Sequence, residues 1–419
     1  AADGPVCVSL RRARDHAEAA TACGNLTANQ ATAASEQSFA VCVSPQNVSV
    51  VAHTTRGLVL AVGRLIRELR VHQVAGRTGH AVLVAADLQL FVAPPPWATM
   101  RGHQVTDWGF YMTDAAFEQF VKDLLVFGTN QIEFAHITYS RGDADSLVRF
   151  SKICDKYGVY VSVFQPEWPS NTTEAVFATM TRIDAVLHEG GGGPIANTQQ
   201  HLPNAHEGLL SSTAVQSVLK NLEAVAAAVR QHHPNATVWW SPGGETAAWM
   251  DAWYASLESA AVKQWLTGVS WGPVTLGRET EMLARLPKGY RVRLYPDICH
   301  TLTAMYPVPD WSFIWANTHG RQVVNPLPRH YADVIKMNTN ASLRQRAIGF
   351  GGYSEGAADD FNKALWSALY MEPGLSVDDL TEQYARHFLQ PVLPSVHSLG
   401  NNEGLYNDGA ALLYGLEAN

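Results

Sequence analysis

The sequence has few charged residues, no excess of basic residues and no long apolar run. Charged residues make up 16% of its 419 residues, against about 25% in ordinary soluble domains, which favours a large, well-buried globular protein. The net charge of -8 gives no electrostatic reason to expect nucleic acid as a partner. No apolar run reaches about 18 residues, so no membrane span is expected.

Cysteine is also scarce, and its spacing excludes the common metal sites. The five cysteines form no CxxC or Cys/His pattern of the kind that binds zinc, and neither a metal nor an organic cofactor is expected. Cys7, Cys23 and Cys42 lie near the N-terminus and predict one disulfide, whose pairing stays open. The odd count leaves at least one thiol free or bonded to another chain.

Five Asn-x-Ser/Thr sequons favour the secretory route, with a secreted or lysosomal protein as the expectation. The first residues show neither the basic start nor the apolar centre of a signal peptide, so we expect a mature N-terminus. The asparagines predicted to carry glycans are Asn25, Asn47, Asn171, Asn235 and Asn340.

Composition and periodicity divide the chain into three parts. Residues 1–95 are predicted to form a small α/β domain that ends at the stiff connector Pro94-Pro-Pro-Trp97. Residues 96–375 are predicted to form the barrel domain, and residues 376–419 a C-terminal helical extension. The last helical stretch lacks a stop signal, which predicts truncation or processing. A second chain from such processing, or a homo-oligomer, is therefore an expected partner.

Apolar runs alternate with amphipathic stretches after Arg101, which predicts repeated βα units and a parallel sheet. Eight repeats favour a closed (β/α)8 barrel, or TIM barrel, over an open sheet. Helices are predicted over 115–126, 144–156, 213–232 and 247–258, and again after the last strand. The predicted strands are 105–107, 131–134, 159–164, 185–188, 237–240, 268–271, 292–295 and 347–353.

Acidic and aromatic residues stand where these predicted strands end. Barrel enzymes hold their chemistry at this end, and carboxylates beside aromatic rings are typical of sugar sites. Glu355 and Asp297 are the predicted central acids, with Glu245 or Glu189 as the proton donor. The residues predicted to bind the sugar are Arg101, His103, Tyr295, Trp271, His300 and Trp311.

These candidates also have structural alternatives. Glu355 would instead cap the next helix, Asp297 would pair with His300 or an arginine, and Arg101 would pair with a barrel acid. Glu245 would instead open the helix predicted over 247–258, and Glu189 would lie outside the pocket. For Trp271 and Trp311 the alternative is core packing, the ordinary fate of tryptophan. Asp359 and Asp360 precede a predicted helix, and at least one of them is expected to cap it and to interact with the helix dipole.

Three short motifs follow one another along the chain: Arg101-Gly102, Tyr295-Pro-Asp297 and Gly352-Tyr-Ser-Glu355. Their order resembles glycoside hydrolase family 20, the β-N-acetylhexosaminidases, and related exo-glycosidases with a small α/β domain before the barrel. The resemblance covers most of residues 40–390. It implies that Arg101 binds sugar hydroxyls, that Tyr295 holds the acetamido group of the substrate, and that Glu355 contacts outer hydroxyls. A terminal sugar of a glycan, of the amino sugar or uronic acid type, is then the expected substrate.

The sequence departs from this family at the fourth strand. The family pattern His-x-Gly-Gly-Asp-Glu ends in the two catalytic acids, whereas this chain has Gly192 and Gly193 at those positions. Two hypotheses remain open. In the first, the chain hydrolyses glycosides with other rim carboxylates. In the second, it is an inactive carbohydrate-binding or structural glycoprotein on a glycosidase scaffold.

Overall fold

The computed structural model describes most of the small domain and nearly all of the barrel. The described residues are 7–14, 18, 35–44, 47–73, 80–83, 88–106, 112–135, 141–164, 171–190, 212–242, 247–272, 279–299, 326–354, 359–389, 411 and 413–414.

The N-terminal part contains a small mixed sheet backed by one helix. Its strands run in the order β1-β3-β2-β6, parallel between β1 and β3 and antiparallel elsewhere. Helix α1 (Thr55–Glu68) packs on this sheet, and the side chain of Thr54 caps its first turn by accepting from the Gly57 amide. The strands, including the separate hairpin β4–β5, are β1 (Cys7–Arg12), β2 (Phe39–Ser44), β3 (Asn47–Ala52), β4 (Arg70–Gln73), β5 (His80–Leu83) and β6 (Gln89–Val92).

Eight parallel strands then close into a barrel. Each pairs with its neighbours, and the pairing of β15 with both β7 and β13 completes the ring. The short strand β14 extends the chain beyond β13 and pairs with the end of β15. The strands are β7 (Met100–Val105), β8 (Gln131–Phe134), β9 (Tyr160–Phe164), β10 (Ala185–Glu189), β11 (Thr237–Ser241), β12 (Gly268–Trp271), β13 (Arg291–Leu294), β14 (Asp297–Cys299) and β15 (Ala347–Ser354).

Helices surround the barrel and continue past its last strand. They are α2 (Asp114–Val126), α3 (Arg141–Lys156), α4 (Asn171–Thr179), α5 (Ser212–His232), α6 (Ala247–Leu257), α7 (Ala260–Trp265), α8 (Glu279–Arg285), α9 (Pro328–Asn338), α10 (Ala341–Arg344), α11 (Asp360–Met371) and α12 (Val377–Tyr384). Within the described ranges, none of the helices is long and apolar enough to cross a membrane. The predicted TIM barrel, small α/β domain and C-terminal helices are confirmed.

The first barrel strand differs most from its prediction. It spans Met100–Val105, whereas the sequence predicted 105–107. The reason is its composition: Arg101, His103 and Gln104 are polar, yet all three are 0% exposed. Buried polar residues keep a strand stable only where hydrogen-bond partners are present, and such partners come from distant parts of the chain.

The small domain is joined to the barrel through α1. Gly63 lies so close to α2 that an added Cβ would stand 2.7 Å from the carbonyl oxygen of Leu125, so only glycine permits this approach. On the same helix, Arg64 donates to Glu372 at 2.9 Å and Arg67 donates to Gln383 at 2.8 Å. The first domain therefore packs against the barrel helices and the C-terminal helices together.

Candidate active site at the mouth of the barrel

The carboxyl ends of the eight strands form the floor of the candidate site. Each strand leads, within a few residues, into a segment that lies outside the described residues. These segments are 107–111, 136–140, 165–170, 191–211, 243–246, 273–278, 300–325 and 355–358. The floor of the site is therefore defined by the strand ends.

Glu189 is the carboxylate with which β10 ends. Ala185 and Leu187 of the same strand belong to the cluster that fills the barrel interior. Since side chains alternate along a strand, Glu189 faces the interior as well. It is half-buried, and its negative charge acts on the hydroxyl of Tyr295. The predicted proton donor thus lies on the floor of the mouth.

Two tyrosines, Tyr295 and Tyr353, belong to the interior cluster that also contains Leu187 of β10. The rings of Tyr295 and Tyr353 meet edge to face, with centroids 5.9 Å apart, and Phe164 lies 6.4 Å from Tyr295. Burial raises the pKa of Tyr295 well above its usual value, and the negative charges of Glu189 and Glu133 raise it further. The hydroxyl of Tyr295 therefore keeps its proton and remains a hydrogen-bond donor.

A buried ion pair lies beneath these residues. Arg293 of β13 donates to the two carboxylate oxygens of Glu133 of β8 at 2.7 and 3.0 Å, and both side chains are 0% exposed. Ser162 donates to Glu133 at 2.7 Å and Gln104 does so at 2.7 Å. Gln104 also donates to the Tyr295 hydroxyl at 2.9 Å. Of these residues, the sequence predicted only Tyr295 as part of the site.

Gly351 makes room for this pair. A Cβ at this position of β15 would stand 1.9 Å from a terminal nitrogen of Arg293, which no real contact permits. The glycine-rich run of the last strand thus has a packing reason inside the barrel. It is the one sequence signal that could have indicated a large side chain crossing from a neighbouring strand.

Of the two predicted central acids, the structure describes the backbone of Asp297. Asp297 pairs with Tyr353 across β14 and β15, and Glu355 follows two residues after Tyr353. Ser354 donates a hydrogen bond to Asp359, so the two ends of the segment that carries Glu355 are held together. The side chain of Asp297 and the whole of Glu355 lie outside the described residues, as do Glu245, His300 and Trp311.

Asp360 lies in the first turn of α11, where its negative charge interacts favourably with the helix dipole, as expected for at least one of the two acids. Asp359 occupies the N-cap position, but its side chain makes no capping hydrogen bond. Its carboxylate instead accepts from Ser354 and forms an ion pair with the buried Lys363.

Arg101 lies at the opposite end of the barrel from the mouth, which corrects its predicted role. Its guanidinium donates to the carbonyl oxygens of Gly128 at 2.6 Å and Ala98 at 2.7 Å, both of which precede barrel strands. It also donates to Gln37 of the small domain at 2.7 Å. Because Arg101 is 0% exposed and bonded to protein groups, the structure gives it a stabilising role at the domain junction.

His103 and Trp271 also lie away from the floor of the site. His103 alternates with the inward-facing Gln104, is 0% exposed, and lies 2.8 Å from Ser367 of α11. Trp271 is 1% exposed and belongs to the core between the barrel and its helices. Both predictions of sugar binding are therefore corrected to packing roles, and only Tyr295 of the described candidates for sugar binding faces the barrel interior.

The remaining predicted features concern modification and metals. Cys42 is disulfide-bonded, and Cys154 is a buried free thiol. Asn47, Asn171, Asn235 and Asn340 are exposed, while Asn25 lies outside the described residues. Over the described part of the chain, no group of three or more His, Cys, Asp or Glu side chains could hold a metal ion.

Solved structures of glycoside hydrolases are similar to this chain in fold. The GH20 β-N-acetylhexosaminidase from Streptomyces coelicolor A3(2) matches with a TM-score of 0.52 at 9% sequence identity, over 96% of this chain and 84% of that one. The GH20 exo β-N-acetylglucosaminidase from Vibrio harveyi, in complex with N-acetylglucosamine, matches with a TM-score of 0.50 at 11% identity, over 98% of this chain and 74% of that one. No family model and no curated protein sequence matches the chain. The likeness shows that this chain has the fold of these enzymes.

Proposed function

We propose that the chain is an exo-acting glycoside hydrolase that removes a terminal sugar, of the amino sugar or uronic acid type, from a glycan. The observation that carries the proposal is the position of Glu189, a half-buried carboxylate at the end of β10 whose charge acts on the hydroxyl of Tyr295. Glu189 protonates the leaving oxygen, which is the task of a general acid in such enzymes. The fold shared with known glycosidases supports this interpretation.

A second carboxylate is needed to complete the reaction, and Asp297 or Glu355 supplies it. It acts as base or nucleophile, or it steadies a substrate acetamido group that attacks the anomeric carbon. The pairing of Asp297 with Tyr353 on neighbouring strands supports a common location for these acids. Glu245 remains a second candidate for the proton donor, with His300 and Trp311 as candidates for sugar binding.

A secretory location, either secreted or lysosomal, goes with this function. The disulfide at Cys42 is typical of oxidising compartments, and four sequon asparagines are exposed to modification. Residues 1–95, 96–375 and 376–419 are the proposed domains, and a second chain or a homo-oligomer is the proposed protein partner.

The test compares aryl glycosides of N-acetylglucosamine, glucuronic acid and glucose as substrates. In Glu189→Gln we expect kcat/KM to fall by roughly a hundredfold or more. The loss should be larger for phenyl than for dinitrophenyl glycosides, because a poor leaving group depends more on protonation. Glu258→Gln is the matched control, since Glu258 is 66% exposed on the surface.

The outcomes separate the two hypotheses. If Glu189→Gln, Asp297→Asn and Glu355→Gln all hydrolyse the glycosides with the kcat/KM of the wild type, the roles assigned to these acids are contradicted. Binding of N-acetylglucosamine without hydrolysis of any glycoside instead favours an inactive carbohydrate-binding protein, the hypothesis that Gly192 and Gly193 raise.

A further inference from the structure

We propose that Arg293, Glu133 and Gln104 are positioning residues that fix the hydroxyl of Tyr295 as a hydrogen-bond donor at the mouth of the barrel. The inference rests on the proposed function, because it assigns Tyr295 a task at the proposed active site. The three residues come from β13, β8 and β7, and none of them reaches the mouth.

The series of hydrogen bonds that ends at Tyr295 begins at the carboxylate of Glu133. It accepts four hydrogen bonds, two from Arg293 and one each from Ser162 and Gln104. A bidentate arginine holds a carboxylate in one plane more firmly than a single donor does. Glu133 is thus an immobile acceptor, and its orientation is set by Arg293.

The side-chain amide of Gln104 connects Glu133 to Tyr295. A carboxylate in such an ion pair only accepts hydrogen bonds, so the Gln104 atom that lies 2.7 Å from Glu133 must be the NH2 group. The alternative, flipped amide would place its oxygen against the carboxylate. Glu133 therefore determines that Gln104 also presents a donor to the Tyr295 hydroxyl, 2.9 Å away.

The hydrogen bond from Gln104 determines where the hydroxyl proton of Tyr295 points. Because the hydroxyl oxygen accepts from Gln104, its own hydrogen is directed to another acceptor. Tyr295 follows the end of β13 and meets Tyr353 of β15 edge to face, so its hydroxyl lies near the strand ends, where Glu189 is the last residue of β10 and its charge acts on the hydroxyl. Tyr295 therefore donates there, either to Glu189 or to an oxygen of the bound sugar. The orientation of the hydroxyl is set through Gln104 and Glu133 by Arg293.

The first test needs no turnover. The chain is labelled with 3-fluorotyrosine, and the resonance of Tyr295 is assigned among the 14 tyrosines by its loss in Tyr295→Phe. We expect Gln104→Leu, which keeps the side-chain volume, to shift this 19F resonance. Gln131→Leu is the matched control: Gln131 is also a buried glutamine on the neighbouring strand β8, and its replacement should leave the resonance in place. A Tyr295 resonance that does not move in Gln104→Leu overturns the proposal.

The second test asks whether Gln104 acts through Tyr295 during hydrolysis. We expect Gln104→Leu to lower kcat/KM about tenfold in the wild-type background, the effect of one lost hydrogen bond. In the Tyr295→Phe background it should lower kcat/KM by less than about twofold, since coupled residues are not additive. An equal loss in both backgrounds indicates a general packing effect and refutes positioning. If the wild type hydrolyses no glycoside, the proposed function fails, while the 19F shift still decides the orientation of Tyr295.

Discussion

Removing Arg293 should destabilise the barrel strongly. In Arg293→Met, Glu133 keeps only the hydrogen bonds from Ser162 and Gln104, and its charge has no cation opposite it in a place that is 0% exposed. Leaving one member of a buried ion pair uncompensated costs about 3–5 kcal/mol of unfolding free energy. We expect a loss of this size, and a similar one in Glu133→Leu, where the arginine is left without its partner.

The double variant separates charge from packing. With both Glu133→Leu and Arg293→Met, no unpaired charge remains, and the cost comes mainly from Ser162 and Gln104, which lose their acceptor. We expect about 2–4 kcal/mol for the double variant, from about 1–2 kcal/mol for each unsatisfied group. The two single losses would sum to about 6–10 kcal/mol if they were independent. A coupling of several kcal/mol is therefore the expected signature.

Urea unfolding followed by tryptophan fluorescence measures these losses, because Trp239 and Trp271 lie on either side of the barrel wall and report its transition. Arg291→Met is the matched control, since Arg291 begins the same strand and is exposed. It should stay within about 0.5 kcal/mol of the wild type. A double variant that loses as much as the two single variants combined would refute the reasoning about the buried pair.

Three further predictions concern residues outside this pair. Arg101→Met should lower the unfolding free energy by about 3 kcal/mol, because its hydrogen bonds are lost. The affinity for N-acetylglucosamine, measured by calorimetry, should stay unchanged. A folded variant that no longer binds the sugar would instead support the sugar-binding role of Arg101. Burial lowers the pKa of His188 from 6.5 to about 4, so between these pH values the unfolded chain binds a proton that the folded chain does not. The unfolding free energy should therefore fall, by up to about 3 kcal/mol, as pH falls through this range, and a His188→Asn variant that falls just as steeply in urea titrations would contradict this. Asn340 accepts a hydrogen bond from the Leu343 amide as the N-cap of α10. Asn340→Asp should therefore remove a glycan at an unchanged melting temperature, whereas Asn340→Gln should also lose about 1 kcal/mol of capping free energy. Mass spectrometry measures the glycan and thermal melts measure the stability; equal melting temperatures of the two variants would contradict the capping role.

The sequence predicted the barrel because periodicity is a local signal. Strands β8 and β12 match their predicted bounds, and helix α5 (Ser212–His232) differs from its prediction by one residue. Strand β3 (Asn47–Ala52) was missed, although its Val-Ser-Val-Val-Ala stretch has the β-branched residues that favour strands. β7 was misplaced because its polar residues obscured the pattern. Local sequence patterns therefore predict a strand or helix well, except where its polar side chains are buried and hydrogen-bonded to distant parts of the chain.

The candidate site was less predictable for a related reason. Glu133 and Arg293 both lie in stretches that were predicted as strands, but they are 160 residues apart in the chain, and nothing in either stretch identifies the other as its partner. Arg101 shows the converse error. The Arg101-Gly102 motif resembled a family pattern, whereas the position of an arginine along a strand decides whether it reaches the mouth. The partner of a buried side chain and its distance from the barrel mouth depend on the three-dimensional fold, so a short sequence motif cannot predict them.

The different environments of Glu133 and Glu189 decide which one is suited to acid catalysis. Glu133 is fully buried and bound by two nitrogens of Arg293, so it has no access to a leaving group. Glu189 is half-buried at the strand end. Under the proposed function, Glu189 therefore takes the role of general acid, which the resemblance would have placed at Gly192 or Gly193. If Glu189 donates the proton, the proposed second carboxylate is Asp297 of β14 or Glu355, which follows β15 in the sequence.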